Sequence, residues 1–228
     1  MTAPPDVRGE VAHAARVLAR LGLVTAFGHV SARVGDDVLV TPATALDGVT
    51  ADAVLTIALD ADALPADAAP ETWAHLAVYR ARPDVAAVAR AQPEAAFAAA
   101  AISTELVPLH GQACWLGTRV PVHEPARLLR TAGLAAAAAE ALGGSDALLL
   151  RGNGALTTGP SAGIAVARMW LLDAACRVRL ATAGHDPRPL DDGEVGAWRR
   201  AGPPLLERLW DRLAGAPGTC GNCTQPGA

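Results

Sequence analysis

Glu71, His75 and Tyr79 stand four residues apart in the stretch Pro70-Glu71-Thr72-Trp73-Ala74-His75-Leu76-Ala77-Val78-Tyr79. That spacing sets all three on one face of a helix. A carboxylate followed one turn later by an imidazole is equipment for moving protons. Two further imidazoles lie beside glycines, His29 in Gly28-His29-Val30-Ser31 and His110 in Leu109-His110-Gly111, and histidine exchanges its proton nearest neutral pH. Arginine supplies fixed positive charge of a shape that grips carboxylates through two parallel hydrogen bonds. There is no lysine; all 19 basic residues are arginine. Imine formation on a side-chain amine, lysine-anchored pyridoxal phosphate and P-loop nucleotide binding are thereby excluded.

The elements that must position these groups follow from periodicity. Val7 to Leu21 repeats apolar residues at helical spacing and stops at Gly22. Val38–Thr41 and Leu55–Leu59 read as strands, Glu71 to Arg82 as a helix with Pro70 suited to its first turn. Val85 to Ala89 is a buried strand and Glu94 to Ile102 a short helix; Val107 to Val122 is irregular with strand pieces. Pro125 to Leu142 is predicted helical, ending at Gly143-Gly144, and Ala147 to Leu150 is another strand. Ser161 to Ala183 forms a long helix with Trp170 and Leu171 in the core. A last helix over Asp192 to Leu213 is predicted to break near Gly202-Pro203-Pro204. Helices alternating with short strands argue for α/β layers.

The chain of 228 residues is 51% hydrophobic and 18% charged, which suits one compact domain with an ample core over residues 1–214. A formal net charge of −4 gives no general attraction to nucleic acid. No apolar run reaches the roughly 18 residues of a membrane helix, and the N-terminus lacks a secretory pattern, so a cytoplasmic protein is expected. Cys114 and Cys176 sit among apolar residues and read as reduced core residues. Cys220-Gly221-Asn222-Cys223 supplies only half of a zinc site, within a Gly/Pro/Thr-rich stretch read as a flexible tail over 215–228. His13 and His123 read as surface residues, and Trp198 and Trp210 as packing or subunit contacts.

Several stretches, taken together and in order, resemble the class II aldolase/adducin family. They are Gly28-His29-Val30-Ser31-Ala32-Arg33, which resembles a turn of that family, the turn Thr41-Pro42-Ala43-Thr44, the Glu71 helix, Arg82-Pro83-Asp84-Val85 running into Arg90-Ala91-Gln92-Pro93, and Arg151-Gly152-Asn153 followed by Gly154 to Gly159, which resembles another turn. The resemblance covers roughly residues 7 to 213. It implies a three-layer α/β/α sandwich with a largely antiparallel sheet and assembly as a homotetramer. It also implies aldolase, epimerase or decarboxylase chemistry on a divalent metal held by three histidines, with a glutamate beside them. Here the glutamate is kept as Glu71, while the three histidine positions hold Arg90, Gln92 and Asn153. A guanidinium has no lone pair to give a metal, so the ancestral metal site reads as lost and no cofactor is expected. The phosphate-binding positions are altered as well, to His29, Ala43-Thr44 and Ala69-Pro70, which points away from sugar phosphates.

What this implies is a metal-independent lyase, decarboxylating or cleaving a carbon–carbon bond of a small oxo- or hydroxy-carboxylate. Glu71, His29 and His110 are its catalytic candidates. Arg90, Gln92, Arg151, Asn153, Thr41 and Thr44 are its substrate-binding candidates. Each has a plainer reading: Glu71 in a structural ion pair with Arg90, His29 capping a turn, His75 orienting Glu71 or lying in an interface. Two alternatives stay open. The chain could be a non-catalytic, adducin-like binding or scaffold protein, or an aldolase or epimerase whose metal has moved to His29, His75, His110 and Glu71.

Overall fold

A computed structural model describes residues 6–215. Eight strands form a sheet in the order β3-β2-β1-β4-β8-β7-β6-β5. They are β1 His29–Val34, β2 Asp37–Val40, β3 Leu55–Ala58, β4 Ala87–Ala91, β5 Glu105–Leu106, β6 Val120–His123, β7 Ala147–Leu150 and β8 Gly154–Gly159. Every neighbouring pair is antiparallel except β6 with β7. The helices are α1 Val7–Arg20, α2 Thr72–Ala81, α3 Glu94–Ile102, α4 Ala132–Leu142, α5 Ala162–Ala181 and α6 Asp192–Ala214. None is long and apolar enough to cross a membrane.

Successive strand residues point to opposite faces of the sheet, and the core divides accordingly. Ala87, Ala89, Ala147 and Leu149 pack with residues of α1, α3, α5 and α6. Val38, Val40, Val88, Leu148 and Leu150 pack with α2 and α4 on the other side. The result is the expected α/β/α sandwich with a largely antiparallel sheet. Ser161 caps α5 by accepting from the Ile164 amide, and Asp191 with Glu194 closes a reciprocal cap on α6. Leu171 is fully buried in the core, with Trp170 half-buried against it.

Four expectations are corrected. The stretch Pro125 to Leu142 is helical only from Ala132: Thr131 accepts a hydrogen bond from the Leu134 amide and starts α4 there, leaving residues 124–130 as an irregular connection. His123 ends β6 and is buried rather than exposed. Helix α6 runs through Pro203 and Pro204 without a break. The carbonyls those prolines leave unpaired belong to the solvent-exposed Arg199 and Arg200, where water can serve them. Finally, Gly28 to Arg33 and Gly154 to Gly159 are mostly strand, β1 and β8 in the middle of the sheet. Cys114 and Cys176 are buried free thiols, whereas Cys220 and Cys223 lie outside the described residues.

Candidate functional site

The site is assembled on the face of the sheet that α2 covers. In the antiparallel pairing of β1 with β4, His29 stands directly opposite Arg90. Both lie in register with Ser31 and Val88, so their side chains share that face. Helix α2 lays His75 and Tyr79 across it. The Ser31 hydroxyl lies 2.7 Å from both His75 Nδ1 and the Tyr79 hydroxyl, which fixes the His75 ring. The ring centroids of His75 and His29 are 5.8 Å apart, edge to face.

Arg90 is only 2% exposed. Its Nη2 donates to Asn153 Oδ1 at 2.7 Å and to the Asn153 carbonyl at 3.2 Å. Asn153 is presented by a tight turn between β7 and β8, in which Gly152 and Gly154 both adopt positive φ. A Cβ on Gly154 would sit 2.2 Å from the Ala91 carbonyl, so only glycine lets the turn approach β4 so closely. Four buried polar atoms around this centre lack a hydrogen-bond partner among the described residues: His29 Nδ1, His75 Nε2, Arg90 Nε and Asn153 Nδ2. Buried polar groups are ordinarily satisfied, and these four lie together around one centre.

Glu71 sits at the N-terminus of α2, where the helix dipole favours a carboxylate. Its Oε1 accepts from Arg130 Nε at 3.1 Å. The expected ion pair with Arg90 is therefore replaced by one with Arg130, though Glu71 still supports the charge on Arg90 against the burial that opposes it. Burial, and then Arg90, push the His29 pKa down to about 3. His75 is lowered well below its ordinary value, first by burial and then by His29 and Arg90. Both imidazoles are neutral at physiological pH.

A cavity of about 410 Å³ opens onto these groups, lined by His29, Thr44, Glu71, Arg90, Gln92 and Arg130 among others, with exposed Phe27 and Leu128 at its border. It gathers five of the sequence-derived candidates, His29, Thr44, Glu71, Arg90 and Gln92, and Asn153 supports Arg90. Three candidates lie elsewhere. Thr41 is fully buried and accepts from the Val30 amide, a tie between strands. His110 borders a separate, water-sized cavity with Leu106 and Leu116. Arg151 turns to Glu124, whose carbonyl and carboxylate it binds at 2.7 and 3.2 Å. The relocated metal set is consequently not assembled within the chain. Among the described residues no three His, Cys, Asp or Glu side chains converge as metal ligands. Arg130 escaped sequence reasoning because its segment was read as helix. Ser31 escaped because a buried serine carries no pattern of its own.

A family model for the "Class II Aldolase and Adducin N-terminal domain" matches residues 9–180. Among curated proteins, the chain is 30% identical over 218 residues to a 3,4-dihydroxyphthalate decarboxylase of a Terrabacter species, covering 86% of this chain and 90% of that one. It is 31% identical over 208 residues to a 3,4-dihydroxyphthalate decarboxylase of Arthrobacter keyseri, covering 82% and 84%. Among solved structures it is similar to an L-fuculose 1-phosphate aldolase, with a TM-score of 0.79 at 22% identity over 87% of this chain and 97% of that one. A putative aldolase/epimerase/decarboxylase of Escherichia coli gives 0.72 at 22% identity over 84% and 97%. At those identities the structural likeness speaks to the fold.

Proposed function

The chain belongs to the class II aldolase and adducin family, and from that premise we propose that it is a carbon–carbon lyase that decarboxylates a small hydroxylated carboxylate, of the aromatic kind for which its relatives are named. The observation that carries this reading is the buried Arg90, braced by Asn153 and opening with Glu71 and neutral His29 onto one cavity. A buried guanidinium that lines a cavity is a strong anchor for an anion. The hydroxyl and amide donors of a phosphate pocket are sparse here, because Ala43, Ala69 and Pro70 line the same cavity.

The family's divalent metal does not fit these residues. Arg90 offers no lone pair, and its charge repels a dication. The Asn153 carbonyl oxygen that could ligate is already engaged by Arg90. In the proposed reaction the Glu71 carboxyl donates its proton to the ring carbon that bears the departing carboxylate. The bond to that carboxylate then breaks, its electron pair returns to the ring, and carbon dioxide leaves. Solvent restores the proton to Glu71. Arg90 holds an anionic oxygen of the substrate and steadies charge that develops on it. Uncharged His29 lines the same cavity and meets a substrate hydroxyl there. We further propose that the protein works as a homo-oligomer, with Phe27 and Leu128 shielded beside the cavity mouth.

Carbon dioxide release from 3,4-dihydroxyphthalate tests the reading. The wild type is expected to turn it over, and Glu71→Gln, folded as judged by circular dichroism, is expected to lose about 10²–10⁴-fold in kcat. A Glu71→Gln rate equal to that of the wild type would sink the assignment.

A further inference from the structure

We propose that Arg130 is a second anion-binding arm of this site and that it exchanges partners. It holds Glu71 in the free protein and passes to a second carboxylate of a dianionic substrate, which frees Glu71 to carry the proton. The inference rests on the decarboxylase reading, whose relatives are named for a dicarboxylate, and assigns the residue that meets its second carboxylate.

The two arginines of the cavity are built differently. Arg90 is buried and fixed by two bonds to Asn153. The Arg130 side chain is 56% exposed, against 11% for Glu71. Only its Nε is hydrogen-bonded among the described residues, so its remaining donors face the cavity and solvent. Its backbone stands on a firm base, since neighbouring Leu129 is buried in the core. An ion pair with one partner in solvent contributes little, so the Arg130–Glu71 contact is easily traded for another carboxylate.

Charge balance points the same way. Two guanidinium groups face one carboxylate in this cavity, leaving one positive charge in excess. Once Glu71 takes up a proton, two positive charges remain, and they match two substrate carboxylates. The exchange also loads the acid. With Arg130 turned to the substrate, Glu71 Oε1 loses its hydrogen-bond partner and is left open to the cavity. A monocarboxylate seated on Arg90 leaves Arg130 on Glu71 and the acid unloaded. Arg130 is in this way a specificity-determining residue that also positions the proton.

Calorimetric titration of the full chain with two unreactive probes, phthalate and benzoate, tests this directly. The wild type is expected to bind phthalate about tenfold or more tightly than benzoate, the worth of one added charged hydrogen bond. Arg130→Gln should lose that preference. Glu71→Gln should tighten phthalate binding, and the same change in the Arg130→Gln background should not. Titration in buffers of different ionisation enthalpy should show proton uptake with phthalate in the wild type and none in Glu71→Gln. Phthalate bound no better than benzoate, a preference that survives Arg130→Gln, or phthalate binding without proton uptake would each overturn the proposal. These probes do not react, so the two readings fail separately. Carbon dioxide release with no role for Arg130 in the preference removes the arm, whereas an Arg130-borne preference without turnover of any acid removes the decarboxylase.

Discussion

If Arg90 and Asn153 are present for a ligand, the fold is more stable without them, and a pair of variants tests this. Arg90→Met alone removes the guanidinium but strands Asn153 Oδ1, which now accepts at 2.7 Å inside the protein. An orphaned buried acceptor costs about 1–3 kcal/mol. Arg90→Met combined with Asn153→Leu removes both side chains and the two unsatisfied nitrogens, Arg90 Nε and Asn153 Nδ2, and leaves only the Asn153 carbonyl, which accepts at 3.2 Å, without its Arg90 partner. Replacing buried ionic and polar groups with apolar side chains of similar volume is neutral or stabilising by about 1–4 kcal/mol. The expected order of stability is therefore double variant, then wild type, then Arg90→Met. A gain of about 1–2 kcal/mol corresponds to about 2–8 °C in Tm for a chain of this length. Urea unfolding followed by tryptophan fluorescence measures the order. Stabilisation by added phthalate, which follows its concentration over its affinity, should vanish in both variants. A double variant less stable than the wild type by about 2 kcal/mol or more would show that the pair is structural and would refute the reasoning, as would an undiminished response to phthalate.

The rest of the structure makes further quantitative claims. Folded His29 titrates at about 3 against about 6.5 when unfolded. The unfolded chain therefore binds the extra proton between those values, and stability falls as pH drops through that window, by about 2 kcal/mol from His29 alone between about pH 6.5 and 5. His75 shifts in the same direction and steepens the loss; a urea midpoint that stays flat over that range in the wild type, or a slope unchanged in His29→Asn, contradicts the burial argument. Tyr79→Phe deletes a buried hydroxyl bonded to Ser31 and is expected to cost about 1–2 kcal/mol, measured by the same unfolding. Gly154→Ala meets the Ala91 carbonyl and an unfavourable φ at once; a loss of about 2 kcal/mol or more is expected, and a crystal structure should show the contact between Arg90 and Asn153 disturbed.

Much of the fold was legible because its helices carry their own signals. The apolar spacing of α1, the fully apolar β7 and the long pattern of α5 needed no context. The elements misread were those whose character comes from neighbours. Strand β1 holds His29, Ser31 and Arg33, which look like a polar turn until α2 covers one face of it. Strand β8 holds Thr157 and Thr158, each nearly without exposure; the Thr157 hydroxyl is satisfied by the Ala165 carbonyl at 2.7 Å, a partner only the tertiary fold supplies. In α6, two prolines outweighed the surrounding pattern on paper, whereas in the fold Gly202 lies against the Trp115 ring and Leu206 is buried in the core, which holds the helix on course.

For the site, the limit lay in distinguishing residues close along a motif from residues close in space. Arg151 sits two residues before Asn153, yet the turn that aims Asn153 at Arg90 sends Arg151 outward to Glu124. Arg130 was hidden by a single error of secondary structure: on a helix beginning at Pro125 it would have been one more surface arginine, whereas on an irregular segment anchored by Leu129 it reaches the carboxylate at the head of α2. That one placement alters the electrostatics of the cavity. With Arg90 alone, Glu71 would have faced one cation in a fixed structural pair. With Arg130 added, the cavity carries an excess positive charge and a partner for Glu71 that an anion can take away. A pocket rebuilt with two guanidinium groups in this way selects for the charge of its ligand, and the ligand's second charge becomes the means of placing a proton on Glu71.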